Sequence, residues 1–499
     1  MSYIPAFTGE TPKKIEGGSD MGATADLVVI VLYMLAILGV GFYASRKVKD
    51  TEDYTIAGRR LGFPVLLGTL IGTAIGAGAT IGKAGKAYDI GIALFFITMA
   101  YAIGLLLFSF IAPTIRKMKI WTIPDALNLR YGRGLTVVTA IVMVLAVIAL
   151  FGGQLIAVGL AAVAVLGEFG ITYQEAIIGA ALIMILYTIM GGLLAVAYTD
   201  VVQTIIMIIA VGIILPILIT IDVGGFGKAV EYIKPPQGHF WGGVGIAYVA
   251  SVFMIDIPFC LVDPSLWQRA SAAKDARTIR NGMYVTLAVY IFWTFIAVFL
   301  GVMAAHLIPN LGQSTEGVDA AIPFLVANYM PPVLKGLCLA AMMAIMMSTA
   351  DTALLISGTT FSHDIVKKFR PNTSDKTLLI LARVFILVVG ILGIVFALNM
   401  KGIFDILLLA FAIFVSGIFV PTLAAIYWKK ATKAGALISS IVASIAVVVL
   451  YGLKMSNMLP KGIEPIFISI LISLVLMVSI SLMTYNPKTA TPRLKDLED

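Results

Sequence analysis

The sequence predicts an all-α integral membrane protein with thirteen transmembrane helices. Of its 499 residues, 60% are hydrophobic and only 12% are charged, and the mean hydropathy of +1.01 is far above that of a water-soluble chain. A helix needs about 20 apolar residues to cross the hydrocarbon of a bilayer. Lipid offers the backbone no hydrogen-bond partners, so spans are helices or closed barrels. The apolar runs are long and continuous and do not alternate, which favours helices.

The predicted spans are separated by short polar loops, none of them long enough to hold a soluble domain. An extracellular tail, 1–25, precedes the first span, and a polar tail, 486–499, follows the last. The thirteen spans are predicted at residues 26–45, 62–84, 90–114, 135–165, 174–191, 196–222, 243–262, 282–308, 333–361, 376–398, 403–428, 434–453 and 464–485.

The basic residues predict the orientation of the chain. The net charge of +8 does not indicate nucleic acid binding, because most of the 35 Lys and Arg residues fall in alternate loops. Examples are Arg46, Lys47 and Lys49 after the first span, and Arg269 after the seventh. The positive-inside rule places these loops in the cytoplasm. The sequence therefore predicts a multi-pass protein of the cell membrane with its N-terminus outside and its C-terminus inside.

Two of the spans contain residues that break helices. The second span has a run of glycines, and the seventh has Pro258 and Pro264. Glycine lowers helix stability by about 1 kcal/mol and proline by about 3 kcal/mol, and such breaks free backbone carbonyls. The glycines could instead serve close helix packing. These spans would each begin one of two five-span units of opposite orientation, 62–222 and 243–428, which is typical of transporters with a midplane site. Peripheral helices at 26–45 and 434–485 would flank this inverted-repeat core.

Polar residues inside the spans indicate a binding site. An ionisable residue costs at least about 2.5 kcal/mol within a span, so Lys83, Asp200, Asp256 and Asp351 each need a partner or a purpose. Asp256 could stabilise the break beside the prolines.

The ninth span carries several hard oxygen ligands. Ser348, Asp351 and Thr352 share one helix face, and Thr349 widens it. Hydroxyl and carboxylate oxygens suit alkali and alkaline-earth cations, and carbonyls of the broken second span could complete the shell. The alternative is that the hydroxyls bond back to helix carbonyls and that Asp351 either extends its carboxylate towards the membrane surface or is protonated.

Several stretches resemble the sodium/solute symporter family: TEDYTIAGRRLG, GGLLAVAYTDVVQ, LWQRASAAKDARTIRNG and LKGLCLAAMMAIMMSTAD. The resemblance implies the inverted-repeat fold of the leucine transporter, with spans 2 to 11 as its core. It also implies a sodium site and a second ion or proton site. The sodium ligands would be carbonyls of Gly72, Ile75 and Ile345 and hydroxyls of Ser348 and Thr349. The second site would be formed by Asp200, Ser348, Asp351 and Thr352.

The positions that bind solute in the family depart from its known members. Gly78 and Ala79 stand where sugar symporters have Glu and Gln, and Ala74 and Gly76 stand where proline symporters have an acid and a serine. Lys83 could bind a small carboxylate, or it could extend its ammonium to the outer surface. The predicted solute-binding residues are Ala74, Gly76, Gly78, Ala79, Lys83, Asp256 and Phe259.

We interpret the sequence as that of a sodium-coupled symporter that imports a small organic solute by alternating access, and not as an enzyme. The solute would be a small carboxylate, an amino acid or a vitamin-like molecule. A proton-coupled carrier would use Asp351 or Asp200 as its titrating group. An intramembrane enzyme is a more distant alternative, because no pairing of nucleophile and base is visible. A channel is disfavoured because two broken helices suggest an occluded site.

Overall fold

The computed structural model describes residues 20–233, 243–313, 317–400, 402–456, 458–460, 462–487 and 491–497. Most of the predicted N-terminal tail and part of the C-terminal tail lie outside these ranges. The described residues form no β-strand beyond one isolated bridge. Their α-helices are α1 (Asp20–Ser45), α2 (Thr51–Ile56), α3 (Phe63–Ala74), α4 (Lys83–Ile90), α5 (Ala93–Met118), α6 (Ile123–Tyr131), α7 (Arg133–Leu166), α8 (Tyr173–Met207), α9 (Leu215–Asp222), α10 (Phe226–Ile233), α11 (Ile246–Leu261), α12 (Pro264–Ala272), α13 (Ala276–Leu307), α14 (Ala321–Tyr329), α15 (Leu334–Thr359), α16 (Asp375–Asn399), α17 (Ile403–Phe414), α18 (Val420–Tyr427), α19 (Lys433–Met455) and α20 (Pro465–Thr484).

The number of spans differs from the prediction. Among the described residues, 11 helical runs are long and apolar enough to cross a membrane, or 12 if the bent pair α3–α4 is counted as one. The count of thirteen is not confirmed, because the predicted fifth and sixth spans join in a single run, Tyr173–Asp222. A straight helix of that run's 50 residues would be about 75 Å long, against about 30 Å of hydrocarbon. The run bends at Gly192, whose φ of 53° lies outside the helical region.

Polar caps determine where several helices begin. The side chains of Asp50, Thr122, Thr172, Asp275 and Ser374 each accept the backbone N–H three residues further on. Each such cap satisfies one of the unpaired donors at a helix start and contributes about 1 kcal/mol. These helices therefore begin at positions that the local sequence specifies.

Helix α15 lies at the centre of the bundle. Every residue from 338 to 360 is buried, so no face of this helix meets lipid. By contrast, α1, α19 and α20 carry large apolar side chains that are exposed, such as Leu32 and Leu471. A helix that is enclosed on all sides can hold polar groups only if other helices supply their partners. The bounds proposed for the two repeats stay a prediction.

The second predicted break lies between α11 and α12. Pro258 lies inside α11, whereas Pro264 is the first residue of α12. The backbone leaves the helix at Val262, and the Asp263 side chain caps α12 by accepting the N–H of Ser265 at 2.8 Å. Of the two prolines, only Pro264 marks the break, since proline is tolerated in the first turn of a helix.

Candidate ion and solute site

The break between α3 and α4 exposes backbone groups in the centre of the protein. The α3 axis is bent by 54° from the helical segment that begins at Gly78. Ile75 leaves the helical region, with φ −111° and ψ 85°. The N–H of Ala77 is not bonded within the helix but is donated to Gln154 Oε1 of α7 at 2.8 Å. The last carbonyls of α3, in the turn that holds Gly72, therefore lack the donors that a continuous helix would supply.

Helix α15 packs directly against this break. A Cβ atom added to Gly72 would lie 2.5 Å from Ser348 Oγ, and one added to Gly76 would lie 2.5 Å from Thr349 Oγ1. Only glycine allows the two backbones to approach so closely. The structure thus brings the break and the Ser348–Thr349 pair together, as a shared ion site requires.

Two hydroxyls beside the break have no hydrogen-bond partner. Thr349 Oγ1 and Thr73 Oγ1 are both buried without one among the described residues. Leaving a buried polar group unpaired costs about 1–3 kcal/mol, and a bound cation would remove that cost for a hydroxyl oxygen. The predicted ligands Ile75 and Ile345 are buried in the same region. In the described residues, no group of three His, Cys, Asp or Glu side chains could hold a metal. The oxygen atoms beside the break belong to hydroxyls and carbonyls, and such oxygens suit an alkali cation.

Asp200 of α8 lies at the centre of a buried hydrogen-bonded cluster. Its Oδ1 accepts from Ser348 Oγ at 2.5 Å, and its Oδ2 accepts from Thr69 Oγ1 at 2.5 Å. The Arg269 guanidinium lies 3.8 Å from Oδ2, and neither side chain of this pair is exposed. Arg269 also donates to Thr69 Oγ1 at 3.2 Å and to Thr352 Oγ1 at 2.6 Å. The acid thus has a charged partner and two hydroxyl donors.

The prediction that Arg269 lies in a loop is wrong. It belongs to α12, the second half of a broken helix, and has no exposed surface. Sequence reasoning therefore missed a residue of the cluster. The signal was available, because a buried carboxylate such as Asp200 needs a cationic partner and an arginine follows the seventh-span break.

Three of the four residues of the predicted second ion or proton site belong to the cluster around Asp200 and Arg269, and Asp351 is hydrogen-bonded elsewhere. Asp351 accepts a hydrogen bond from the Tyr187 hydroxyl and another from Thr188 Oγ1 at 3.2 Å, both on α8. Ser348 bonds Asp200, whereas Thr352 bonds Arg269. A second ion or proton site here stays a prediction. The Arg269 guanidinium already contacts two of the oxygens that such a site would use, Thr352 Oγ1 and Asp200 Oδ2.

All seven predicted solute-binding residues line one cavity of about 90 Å³ beside the break. Thr349 lines it as well, so the candidate ion site and the cavity share a wall. Phe259 stacks on Phe411 of α17, with ring centroids 3.8 Å apart. The ring centroids of Tyr101 of α5 and Tyr290 of α13 are 4.8 Å apart. Three of these four aromatic rings were not predicted, because they come from helices that are distant in sequence.

Lys83 is buried within the bundle. Its exposed fraction is 3%, so the alternative that it extends to the outer surface is wrong. Its Nζ donates to Tyr290 Oη and to Thr294 Oγ1, each at 2.9 Å, and lies 4.4 Å above the Tyr290 ring. Among the described residues it forms no ion pair. Asp256 lines the same cavity, and the described residues show no ion pair between it and Lys83. The cavity is therefore lined by one amine, that of Lys83, and by the carboxyl groups of Asp256 and Asp263.

Comparison with known proteins identifies the family. The model of the sodium:solute symporter family matches residues 54–443. The sodium/proline symporter of Escherichia coli is 29% identical over 456 residues, which cover 86% of this chain and 88% of that protein. The sodium/glucose cotransporter of Vibrio parahaemolyticus is 28% identical over 459 residues, covering 84% and 83%.

Among solved structures, a Na⁺-coupled sialic acid symporter in a substrate-bound, outward-open state has a TM-score of 0.75 at 19% identity, covering 92% of this chain and 97% of that one. This likeness shows the fold, which is that of the leucine transporter with its five-plus-five inverted repeat. Family and fold are those of secondary transporters and not of enzymes. The chain belongs to the sodium:solute symporter family.

Proposed function

We propose that the protein couples the entry of sodium to the import of a small organic solute by alternating access. The sodium ion would bind the carbonyls of Gly72, Ile75 and Ile345 and the hydroxyls of Ser348 and Thr349. The observation that carries this proposal is the buried Thr349 hydroxyl, which has no hydrogen-bond partner in the part of the chain that the structure describes and faces the break at Gly76.

The proposed ion joins two helices that belong to different parts of the bundle. Its ligands come from the end of α3 and from the middle of α15. A cation that contacts both helices stabilises the arrangement in which they lie together, and its release favours the arrangement in which they separate. Sodium binding from outside would therefore favour the outward-open state, and release inside would follow when the helices move apart.

The solute that fits the cavity carries a carboxylate. Among the described residues, the Lys83 ammonium contacts two neutral hydroxyls and an aromatic face and forms no ion pair, so the carboxylate of a solute would supply a charged partner. An amino acid would in addition place its ammonium near Asp256. The relatives include symporters of proline, which carries both groups, and of glucose, which carries neither. We therefore favour amino acids and small carboxylates over sugars.

Proton coupling is a second candidate, and Asp351 is the observation that favours it. This acid has no exposed surface and is hydrogen-bonded to the hydroxyls of Tyr187 and Thr188. A buried carboxyl group with neutral partners can exchange a proton in place of an ion. Under this alternative, uptake would follow an imposed pH gradient and would not need sodium.

The test is uptake by purified protein in liposomes with imposed gradients. A screen for sodium-dependent thermal stabilisation by amino acids, short carboxylates, vitamins and sugars would first supply the solute. An inward sodium gradient should then drive its uptake, and a pH gradient alone should not. Uptake that follows the pH gradient and ignores sodium would overturn the proposal in favour of the second candidate.

The ion site itself is tested by replacing its hydroxyls. Ser348→Ala with Thr349→Ala should abolish sodium-dependent uptake while the protein still reaches the membrane. The matched control is Ser439→Ala with Ser440→Ala, an adjacent pair of buried hydroxyls on the peripheral helix α19. Unchanged sodium dependence in the first double variant would contradict the assignment.

A further inference from the structure

A second concave region lies far from the cavity, at the end of α1 and the start of α3. It encloses about 470 Å³. We call it the basic groove, and its lining residues are Arg46, Lys47, Lys49, Arg60, Leu61, Gly62, Val65, Leu194 and Tyr198. Four of these nine residues are basic and none is acidic.

Three of the four basic side chains of the basic groove form no ion pair with the described residues. Arg60 forms an ion pair with Asp53. Within the described part of the chain, Arg46, Lys47 and Lys49 form none. The Lys47 ammonium is held 4.5 Å from the Tyr43 ring and 4.9 Å from the Tyr198 ring, which fixes it without neutralising it. Three like charges around one concave surface favour an anionic ligand.

The surroundings of the basic groove are those of a membrane interface. Phe42 and Tyr43, at the end of the apolar helix α1, are 49% and 60% exposed. Exposed aromatic residues at the end of a span are typical of the level of the lipid headgroups. The loop after α1 belongs to the set that the positive-inside rule places in the cytoplasm, where the leaflet is rich in anionic lipid. Val65 and Leu194 add an apolar surface suited to the glycerol and acyl portions of a lipid.

We propose that the basic groove binds the phosphate group of an anionic phospholipid of the inner leaflet. The phosphate would contact Arg46, Lys47 and Lys49, and the apolar part of the lipid would lie against α3 and α8. The proposal does not depend on the ion or the solute. It does bear on the transporter's motion, because the basic groove is built on the first residues of α3, whose other end carries the proposed sodium ligands.

The test compares lipid binding by two double variants of the full chain. Arg46→Gln with Lys49→Gln removes two charges of the basic groove whose side chains make no hydrogen bonds to the described residues, so folding should be unaffected. Lys429→Gln with Lys430→Gln is the matched control, because it removes two exposed charges from another loop with the same predicted orientation. Native mass spectrometry would measure binding of phosphatidylglycerol and of phosphatidylcholine.

The first double variant should bind phosphatidylglycerol about thirty-fold more weakly, since each basic residue near an anionic surface contributes about 1 kcal/mol and 1.4 kcal/mol is tenfold in affinity. The control should bind as the wild type does. Equal losses in both variants, or equal binding of the two lipids by the wild type, would overturn the proposal.

Inorganic phosphate is the third probe. Phosphate could stabilise the wild type in lipid-free detergent and fail to stabilise the first double variant, while both bind phosphatidylglycerol equally. That result would show that the basic groove binds free phosphate and would also overturn the lipid assignment.

Discussion

Replacing either member of the Asp200–Arg269 pair should destabilise the bundle by several kcal/mol, whereas replacing both should cost less than the sum. The two groups are 3.8 Å apart and neither side chain is exposed. At an effective dielectric constant of about 20, two unit charges at that distance attract by about 4 kcal/mol. Removing one member also leaves an unpaired charge in the interior, and breaking a buried pair in this way typically costs about 3–5 kcal/mol.

The assay is a double-mutant cycle of Asp200→Asn and Arg269→Met. The free energy of unfolding would be measured by denaturant titration in mixed micelles, and we expect an interaction energy of at least about 2 kcal/mol between the two sites. The matched cycle is Lys454→Gln and Glu464→Gln. That pair is closer, at 2.6 Å, but the Lys454 side chain is 42% exposed, so its interaction energy should stay below about 1 kcal/mol. Additive effects at Asp200 and Arg269 would refute the reasoning that burial, and not distance, decides the strength of the pair.

Three further substitutions test the ion site and the cavity. Gly76→Ala would place a Cβ 2.5 Å from Thr349 Oγ1 and should raise the sodium concentration needed for stabilisation at least about tenfold. The control is Gly39→Ala, on α1 with open space around it, which should not change that concentration. A sodium titration of thermal stability measures both variants. Equal effects of the two substitutions would contradict the close approach of Gly76 to Thr349. Lys83→Met should abolish uptake of carboxylate solutes but keep the stabilisation by sodium alone, and uptake that persists in flux assays would show that Lys83 is not the anion-binding group. Asp351→Asn should keep sodium-driven uptake, because the Asp351 carboxylate bonds α8 and not the oxygens of the ion site. Loss of that uptake would assign the acid to the coupling mechanism.

The helix breaks could be predicted from composition, but the number of spans could not. Several glycines or a proline within one apolar run destabilise a helix locally, so the breaks near Gly76 and Pro264 follow from short-range chemistry. The count of thirteen is not confirmed at the fifth and sixth predicted spans, which join in one helical run. There the chain bends at Gly192 without a polar loop, and hydropathy alone does not show whether such a bend separates two spans. The conformation depends on neighbouring helices that the local sequence does not describe.

The parts of the site that lie on one helix could be predicted, and the parts that complete it from other helices could not. The spacing of Ser348 and Thr352 specifies a common face, and the resemblance assigned the break to the same site. The partners of Lys83 and Asp200 are more than a hundred residues away in sequence: Tyr290 for the first and Ser348 for the second. The need for such partners follows from the cost of a buried charge, but their identity is a property of the packing.

The wall that the proposed ion site shares with the cavity predicts coupling between sodium and solute. Gly76 and Thr349 meet at the break, and both also line the cavity. An ion that fixes the position of Thr349 therefore fixes part of the surface that the solute contacts. Because binding free energies are linked, the factor by which sodium raises the affinity for solute must equal the factor by which solute raises the affinity for sodium. Measuring both titrations on one preparation tests the coupling, since two independent sites give a factor of one in each direction. We expect the shared wall to give the same factor in both directions, and a factor above one if sodium favours solute binding.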